Sequence, residues 1–361
     1  MAHAPIIRTL GKNGPKIPAL GFGLMLIGAP AYGAVPQDKD RSAILDKALE
    51  LGATFWDTSD LYGDNEELLR QWFQKTGKRD QIFLATKFGY VKGEGGKTMQ
   101  FQFDTSYEYT KKACQSSLDA MGTDYIDLYY VHQVDNVTPI EETMRALAEL
   151  QADGKIRHIG LSMVSSTTLR RAIKIAPVAA VQPEYSLFGR EIEGPEGTDL
   201  LATCRELGVA VVCATPLGRG LLSSDFGSTS SSSSSTAEDG DTTKVDPADL
   251  RAKMMPRFLA ENRAHNAAVV AKIREFAAEK KGCSVSQLAL AWLLKQGDDI
   301  FVIPGTRRVR YLEENWATNS VELSDEEEKQ LRHSAQTSEL AGEALPEQFM
   351  DHKFRNTKEI S

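Results

Sequence analysis

Ile82-Phe83-Leu84-Ala85-Thr86-Lys87 is a short apolar run closed by a cation. It is too short for a helix, and a run apolar at nearly every position suits a strand buried on both faces. A lysine at such an end is ordinarily a surface residue whose ammonium reaches water. The neighbouring sequence argues otherwise. Run 54–57 ends on Asp57, run 126–132 on His132, run 156–162 on Ser162 and run 179–182 on Gln182. Five successive apolar strands that end on polar side chains are hard to obtain by accident. Runs at 20–24, 209–214 and 300–304 bring the strands to eight. Helical periodicity fills the intervals at 41–51, 65–74, 106–121, 140–153, 167–175 and 200–207, with a pair inside 262–295 and a last helix at 309–316. Alternating strands and helices predict parallel βαβ units, and eight units predict an α/β fold, a (β/α)8 TIM barrel. A doubly wound open sheet is the alternative. In a barrel the five polar ends converge at one mouth.

The flanks complete the expected organisation. Segments 6–10 and 16–18, separated by the glycine-bearing 11–14, read as an N-terminal β-hairpin that could plug the barrel's N-terminal end. Residues 223–246, with serines unbroken from Ser230 to Ser235, carry almost no apolar side chains and are expected to be a disordered insertion on the C-terminal face. The tail at 339–361 is polar but holds Phe349, Met350 and Phe354, so it either folds over the barrel or frays. The expectation is one domain over 1–361, with its core at about 5–335.

Composition narrows the function. A net charge of -8 argues against a nucleic-acid partner. No apolar run approaches the length of about 18 residues needed to span a membrane. The N-terminus has no secretory pattern. Cys114, Cys204, Cys213 and Cys283 lack zinc-site spacing, so reduced thiols, a cytoplasmic location and no metal are expected.

Tyr62 follows Asp57 by five residues, in Asp60-Leu61-Tyr62-Gly63. Beside Lys87 a tyrosine acquires a chemical role. A free phenol has a pKa near 10, and a neighbouring ammonium lowers it toward the range useful for acid catalysis. Asp57 would keep Lys87 charged. His132 could donate a hydrogen bond to a carbonyl oxygen on which negative charge develops. A Schiff base on Lys87 is a competing chemistry.

These segments, with Thr86-Lys87, Tyr130-Val131-His132 and Ile303-Pro304-Gly305-Thr306-Arg307-Arg308, resemble aldo-keto reductases, most closely the branch of fungal and bacterial reductases and pyridoxal reductases. The resemblance implies a metal-free barrel that transfers hydride from NADPH to an aldehyde or ketone, with Asp57, Tyr62, Lys87 and His132 as the catalytic tetrad. It also implies a cofactor site. Gly23, Leu24 and Met25 would make the first contact, and Ser162 and Gln182 would hold the nicotinamide carboxamide. Pro216, Leu217, Gly218 and Arg219 would lie near the pyrophosphate. Gly305, Thr306, Arg308, Glu314 and Asn315 would hold the adenosine end. The guanidinium fork of Arg308 suits a ribose 2′-phosphate. Two positions depart from the family pattern: Met163 replaces an asparagine after strand five, and Ala214 replaces a tyrosine after strand seven. Met25, Tyr32, Phe88, Tyr90 and Phe188 are candidate lining for an apolar or aromatic carbonyl substrate. The alternative function is a cofactor-binding regulatory or scaffold protein resembling ion-channel β subunits. The oligomeric state is not legible.

Overall fold

The computed structural model describes residues 4–92, 99–227 and 249–360. Strands β1 (Ile7–Thr9) and β2 (Lys16–Pro18) form an antiparallel hairpin. The parallel sheet then runs through β3 (Phe22–Gly23), β4 (Phe55–Asp57) and β5 (Phe83–Phe88). A second hairpin follows, β6 (Tyr90–Lys92) with β7 (Met99–Phe103). The sheet resumes with β8 (Ile126–Val131), β9 (Ile156–Ser162), β10 (Val178–Gln182), β11 (Ala210–Cys213) and β12 (Ile300–Val302). Each barrel strand pairs in parallel with the next one in sequence. Parallel bridges Leu20–Val302 and Gly23–Gly305 close the first strand onto the last. The seam is tight: a Cβ on Gly23 would lie 2.6 Å from the Ile303 carbonyl oxygen. The eight expected strands and the barrel are thus present, and the open sheet is not.

The helices sit where the periodicity placed them. They are α1 (Met25–Gly28), α2 (Asp38–Leu51), α3 (Asn65–Thr76), α4 (Tyr107–Met121), α5 (Ile140–Ala152), α6 (Ser166–Ala172), α7 (Leu200–Leu207), α8 (Arg251–Met254), α9 (Ala260–Phe276), α10 (Val285–Lys295), α11 (Val309–Trp316) and α12 (Asp325–Thr337). The sequence reading omitted the one-turn α1 and α8 and the longer α12. The signal for α12 is a capping box, in which the Ser324 side chain accepts from the Glu327 N–H and the Glu327 side chain accepts from the Ser324 N–H.

Strand alternation sorts side chains between the barrel interior and the helix layer. Thr86 points outward and donates to Glu66 of α3 at 2.8 Å. Phe88 follows the same side and stacks on Tyr129, with ring centroids 4.9 Å apart. Phe88 therefore does not line the mouth, contrary to expectation, because period-two alternation sends it away from the Lys87 side. Lys87 itself is fully buried within the barrel.

The N-terminal hairpin covers the N-terminal ends of β11 and β12. Leu10 and Ile17 are buried, and the Lys12 N–H donates to the Gly208 carbonyl at 2.7 Å. Arg8 donates to the carbonyls of Leu294, Gly297 and Ile300. The tail folds over the opposite face. Arg355 N–H donates to Met163 O, and Ser165 N–H donates to Arg355 O, each at 3.0 Å. Disorder does not begin at residue 223: Phe226 is buried edge-on against Phe258, and Asp225 accepts from Tyr311. The rest of the serine-rich segment expected to be disordered lies outside the described residues.

Candidate active site

The strand ends bring four functional side chains together. Lys87 on β5 and Asp57 on the adjacent β4 form an ion pair in a fully enclosed position. Lys87 Nζ also donates to the Thr58 carbonyl at 2.7 Å. Gln182 Nε2 donates to the other Asp57 oxygen at 2.8 Å, so both carboxylate oxygens are satisfied. Tyr62 lies above this pair, with Lys87 Nζ 5.0 Å from its ring centroid. The His132 ring meets Tyr62 edge-on at 5.8 Å.

Burial and charge compete at each group. Burial is the largest influence on Lys87 and disfavours its ammonium. The charge of Asp57 and the hydrogen bonds that Lys87 donates to Asp57 and Tyr62 outweigh it and lift the pKa above the usual lysine value. Burial pushes the Asp57 carboxyl up, and Lys87 pulls it back only in part. Burial also raises Tyr62 above the ordinary phenol value, against the pull of Lys87. This corrects the expectation of a lowered Tyr62 pKa. In the enclosed pocket, desolvation of a phenolate outweighs the neighbouring ammonium, and Tyr62 keeps its proton at neutral pH. Burial, then Lys87, hold His132 well below its ordinary range, so its imidazole is neutral.

The expected cofactor residues form an arc across the remaining strand ends. Gly23 sits on the closing seam, the Leu24 carbonyl accepts from Asn65 at 2.8 Å, and Met25 opens α1. The Ser162 hydroxyl donates to the Gln182 carbonyl at 2.9 Å, joining the ends of β9 and β10. Pro216, Leu217, Gly218 and Arg219 make the turn after β11. Arg219 is tied to the half-buried Glu184, which also receives Lys353 of the tail at 3.3 Å. Gly305 pairs across the seam, and the Arg308 N–H donates to the Thr306 hydroxyl at 3.1 Å at the start of α11. Glu314 and Asn315 lie nearly two turns further on, with Glu314 accepting from Ser224 and Ser284.

The family model for the aldo/keto reductase family matches residues 19–336, most of the chain. The chain belongs to the aldo/keto reductase family. It is 44% identical over 341 residues to the Schizosaccharomyces pombe aldo-keto reductase yakc, which is named with NADP(+), covering 94% of each chain. It is 42% identical to the aldo-keto reductase str7 of Strobilurus tenacellus, covering 93% of this chain and 94% of the relative. Among solved structures it resembles the glycerol dehydrogenase of Gluconobacter oxydans with a TM-score of 0.76 and 29% identity, covering 92% of this chain and 95% of that one. The holo form of an aldo-keto reductase from Bacillus halodurans gives a TM-score of 0.70 and 27% identity, covering 96% and 100%.

At this reductase's mouth Tyr90 was expected as lining, whereas Ser59, Phe103 and His352 were not singled out from sequence. Ser59 reaches His132 Nδ1 at 3.1 Å. Tyr90 meets the His132 ring at 5.0 Å and Phe103 at 4.8 Å, and Phe103 meets His352 of the tail at 5.3 Å. The tail thus extends an aromatic wall outward from His132. Only the nearness of Ser59 to Tyr62 in sequence offered a signal; the others meet through long-range folding. Tyr185, just past the end of β10, is fully buried, donates to Glu193 and packs on Trp292 of α10. It is committed to the helix layer.

Among the described residues, no helix is long and apolar enough to cross a membrane.

Proposed function

We propose that this reductase converts an aldehyde or ketone to an alcohol with NADPH, using Tyr62 as the general acid. The observation that carries the reading is the enclosed Lys87–Asp57 pair under a protonated Tyr62, with a neutral His132 beside it. When bound, NADPH supplies the hydride that adds to the carbonyl carbon. The carbonyl π pair moves onto oxygen as that bond forms, and Tyr62 Oη delivers its proton there, giving the alcohol. The resulting phenolate faces the Lys87 ammonium, which is the charge that stabilises it. Asp57 holds Lys87 charged and in place, and His132 orients the substrate oxygen. Tyr62 regains its proton from solvent.

The donor set fits the cofactor. Ser162 and the Gln182 amide offer the complement of a carboxamide, Arg308 offers a planar fork for a 2′-phosphate, and Glu314 and Asn315 offer acceptors to an adenine amino group. Tyr90, Phe103 and Phe188, all half-buried, support an apolar or aromatic carbonyl substrate. The test is NADPH consumption by the purified protein against a panel of aromatic and aliphatic aldehydes and ketones. Alcohol formed mole for mole with NADPH lost is expected. NADPH binding without turnover on any member would replace the reading with a cofactor-binding scaffold.

A further inference from the structure

Ser59 lies between two members of the tetrad in sequence and is almost fully buried. Its hydroxyl accepts from the Leu61 N–H at 3.1 Å, which fills one lone pair and fixes the side chain. The one hydroxyl hydrogen has two acceptors, His132 Nδ1 at 3.1 Å and Asp60 Oδ1 at 3.3 Å. The Asp60 distance is long for an O–H donor, which usually sits at about 2.7–2.8 Å from oxygen. Asp60 and the His132 ring are both part-buried, and Asp60 has a further partner besides this hydroxyl. His132 Nδ1 has no other partner among the described residues. An acceptor left bare inside the protein costs more than one that is already partnered.

A neutral imidazole carries one proton, and the partner of one nitrogen decides which nitrogen holds it. We propose that Ser59 fixes the tautomer of His132 by donating to Nδ1, which leaves Nε2 as the N–H nitrogen. Ser59 is then a positioning residue, and its effect on catalysis rests on the reading of His132 as the donor to the substrate oxygen. The opposite assignment, Nδ1–H donating to Ser59, would leave Nε2 bare and able only to accept, the wrong polarity for a carbonyl. Burial and the nearby Lys87 charge keep the ring neutral, so the choice of tautomer persists at neutral pH.

The test uses the full chain with nitrogen-labelled histidine, comparing wild type, Ser59→Ala and Ser59→Thr. Imidazole nitrogen shifts separate a proton-bearing nitrogen from a bare one. In the wild type the His132 signals should report Nε2–H. In Ser59→Ala they should move toward a mixture of tautomers. The kcat should fall about 3- to 10-fold, the loss of one hydrogen bond, with KM and NADPH affinity little changed. Ser59→Thr, which keeps the hydroxyl, should restore both. If Ser59→Ala does not fold, Ser59→Cys, a weaker donor of similar size, carries the same expectation. Unchanged nitrogen shifts in a folded Ser59→Ala overturn the proposal whatever the activity. Altered shifts with unchanged kcat support the proposal and instead remove His132 as the substrate's donor.

Discussion

The half of the mouth built by β4, β5 and β8 and the half built by β9, β10 and β11 are held differently. In the first, side chains hold one another: Asp57 and Lys87 form an ion pair in the barrel interior, braced from the end of β10 by Gln182. In the second, the backbone carries the constraint. Met163, Thr215 and Arg219 have φ of 56°, 51° and 59°, a left-handed region that costs a non-glycine residue about 1–2 kcal/mol. Met163 is kept there by bonds on both sides, its N–H to Gln182 O at 3.3 Å and its carbonyl to Arg355 N–H at 3.0 Å. The geometry of the first half is therefore fixed by neighbouring strands, and that of the second depends on ties to a distant tail. Strain persists only where surroundings over-determine it.

This contrast can be broken or sharpened by substitution. The largest effect should come from Tyr62→Phe. Turnover should fall about 100- to 10,000-fold, while NADPH affinity measured by fluorescence titration stays nearly constant. Wild-type turnover would remove Tyr62 as the acid. Next is Lys87→Met, which leaves the Asp57 charge buried and unpaired. Urea unfolding should show a loss of about 3–5 kcal/mol, partly recovered in Asp57→Asn/Lys87→Met. A loss near zero would mean that the first half is not held by its ion pair.

On the other side of the mouth, Arg308→Leu should weaken NADPH by about 1.5–3 kcal/mol and leave NADH unchanged, as competition titrations would report. Equal losses for the two cofactors would place Arg308 away from the 2′-phosphate.

A smaller effect concerns pH. His132 in the fold titrates well below the unfolded value near 6.5. Its contribution to stability is complete above that unfolded value. It declines as pH falls toward the folded pKa, because the unfolded chain binds the proton first. The unfolding free energy from urea titrations should therefore drop on acidification more steeply in the wild type than in His132→Asn, by up to about 1.4 kcal/mol per pH unit. Parallel curves would show that His132 is not buried in its neutral form.

The smallest expected change is Met163→Asn. Asparagine enters the left-handed region more readily than methionine, so stability should rise by about 1 kcal/mol in thermal unfolding. A fall would mean that the Met163 side chain contributes more by packing than its backbone costs.

Legibility in the sequence followed the same division. The strand ends Asp57, Lys87 and His132 were readable because a polar residue closing an apolar run has few explanations. Tyr62 was readable because it shares a short segment with Asp57. The apparent lowering of its pKa was misjudged, since proximity to Lys87 is visible in a pattern and enclosure is not. Phe88 was assigned to the mouth from its place beside Lys87, although strand alternation already separates adjacent residues. Met163 was visible as a departure in residue type; that its backbone is left-handed was not.

The sequence by itself determined the eight strand–helix units and the polar residues that end five of the strands. These follow from hydrophobic periodicity and residue type, which act over a few neighbours. Only the tertiary structure decided that Gln182 braces Asp57, that Ser59 meets His132 and that the tail pins Met163 and extends the aromatic wall. Each joins segments from 73 to about 250 residues apart, and such pairings are set by how packed elements meet in space, which no local pattern along the chain encodes.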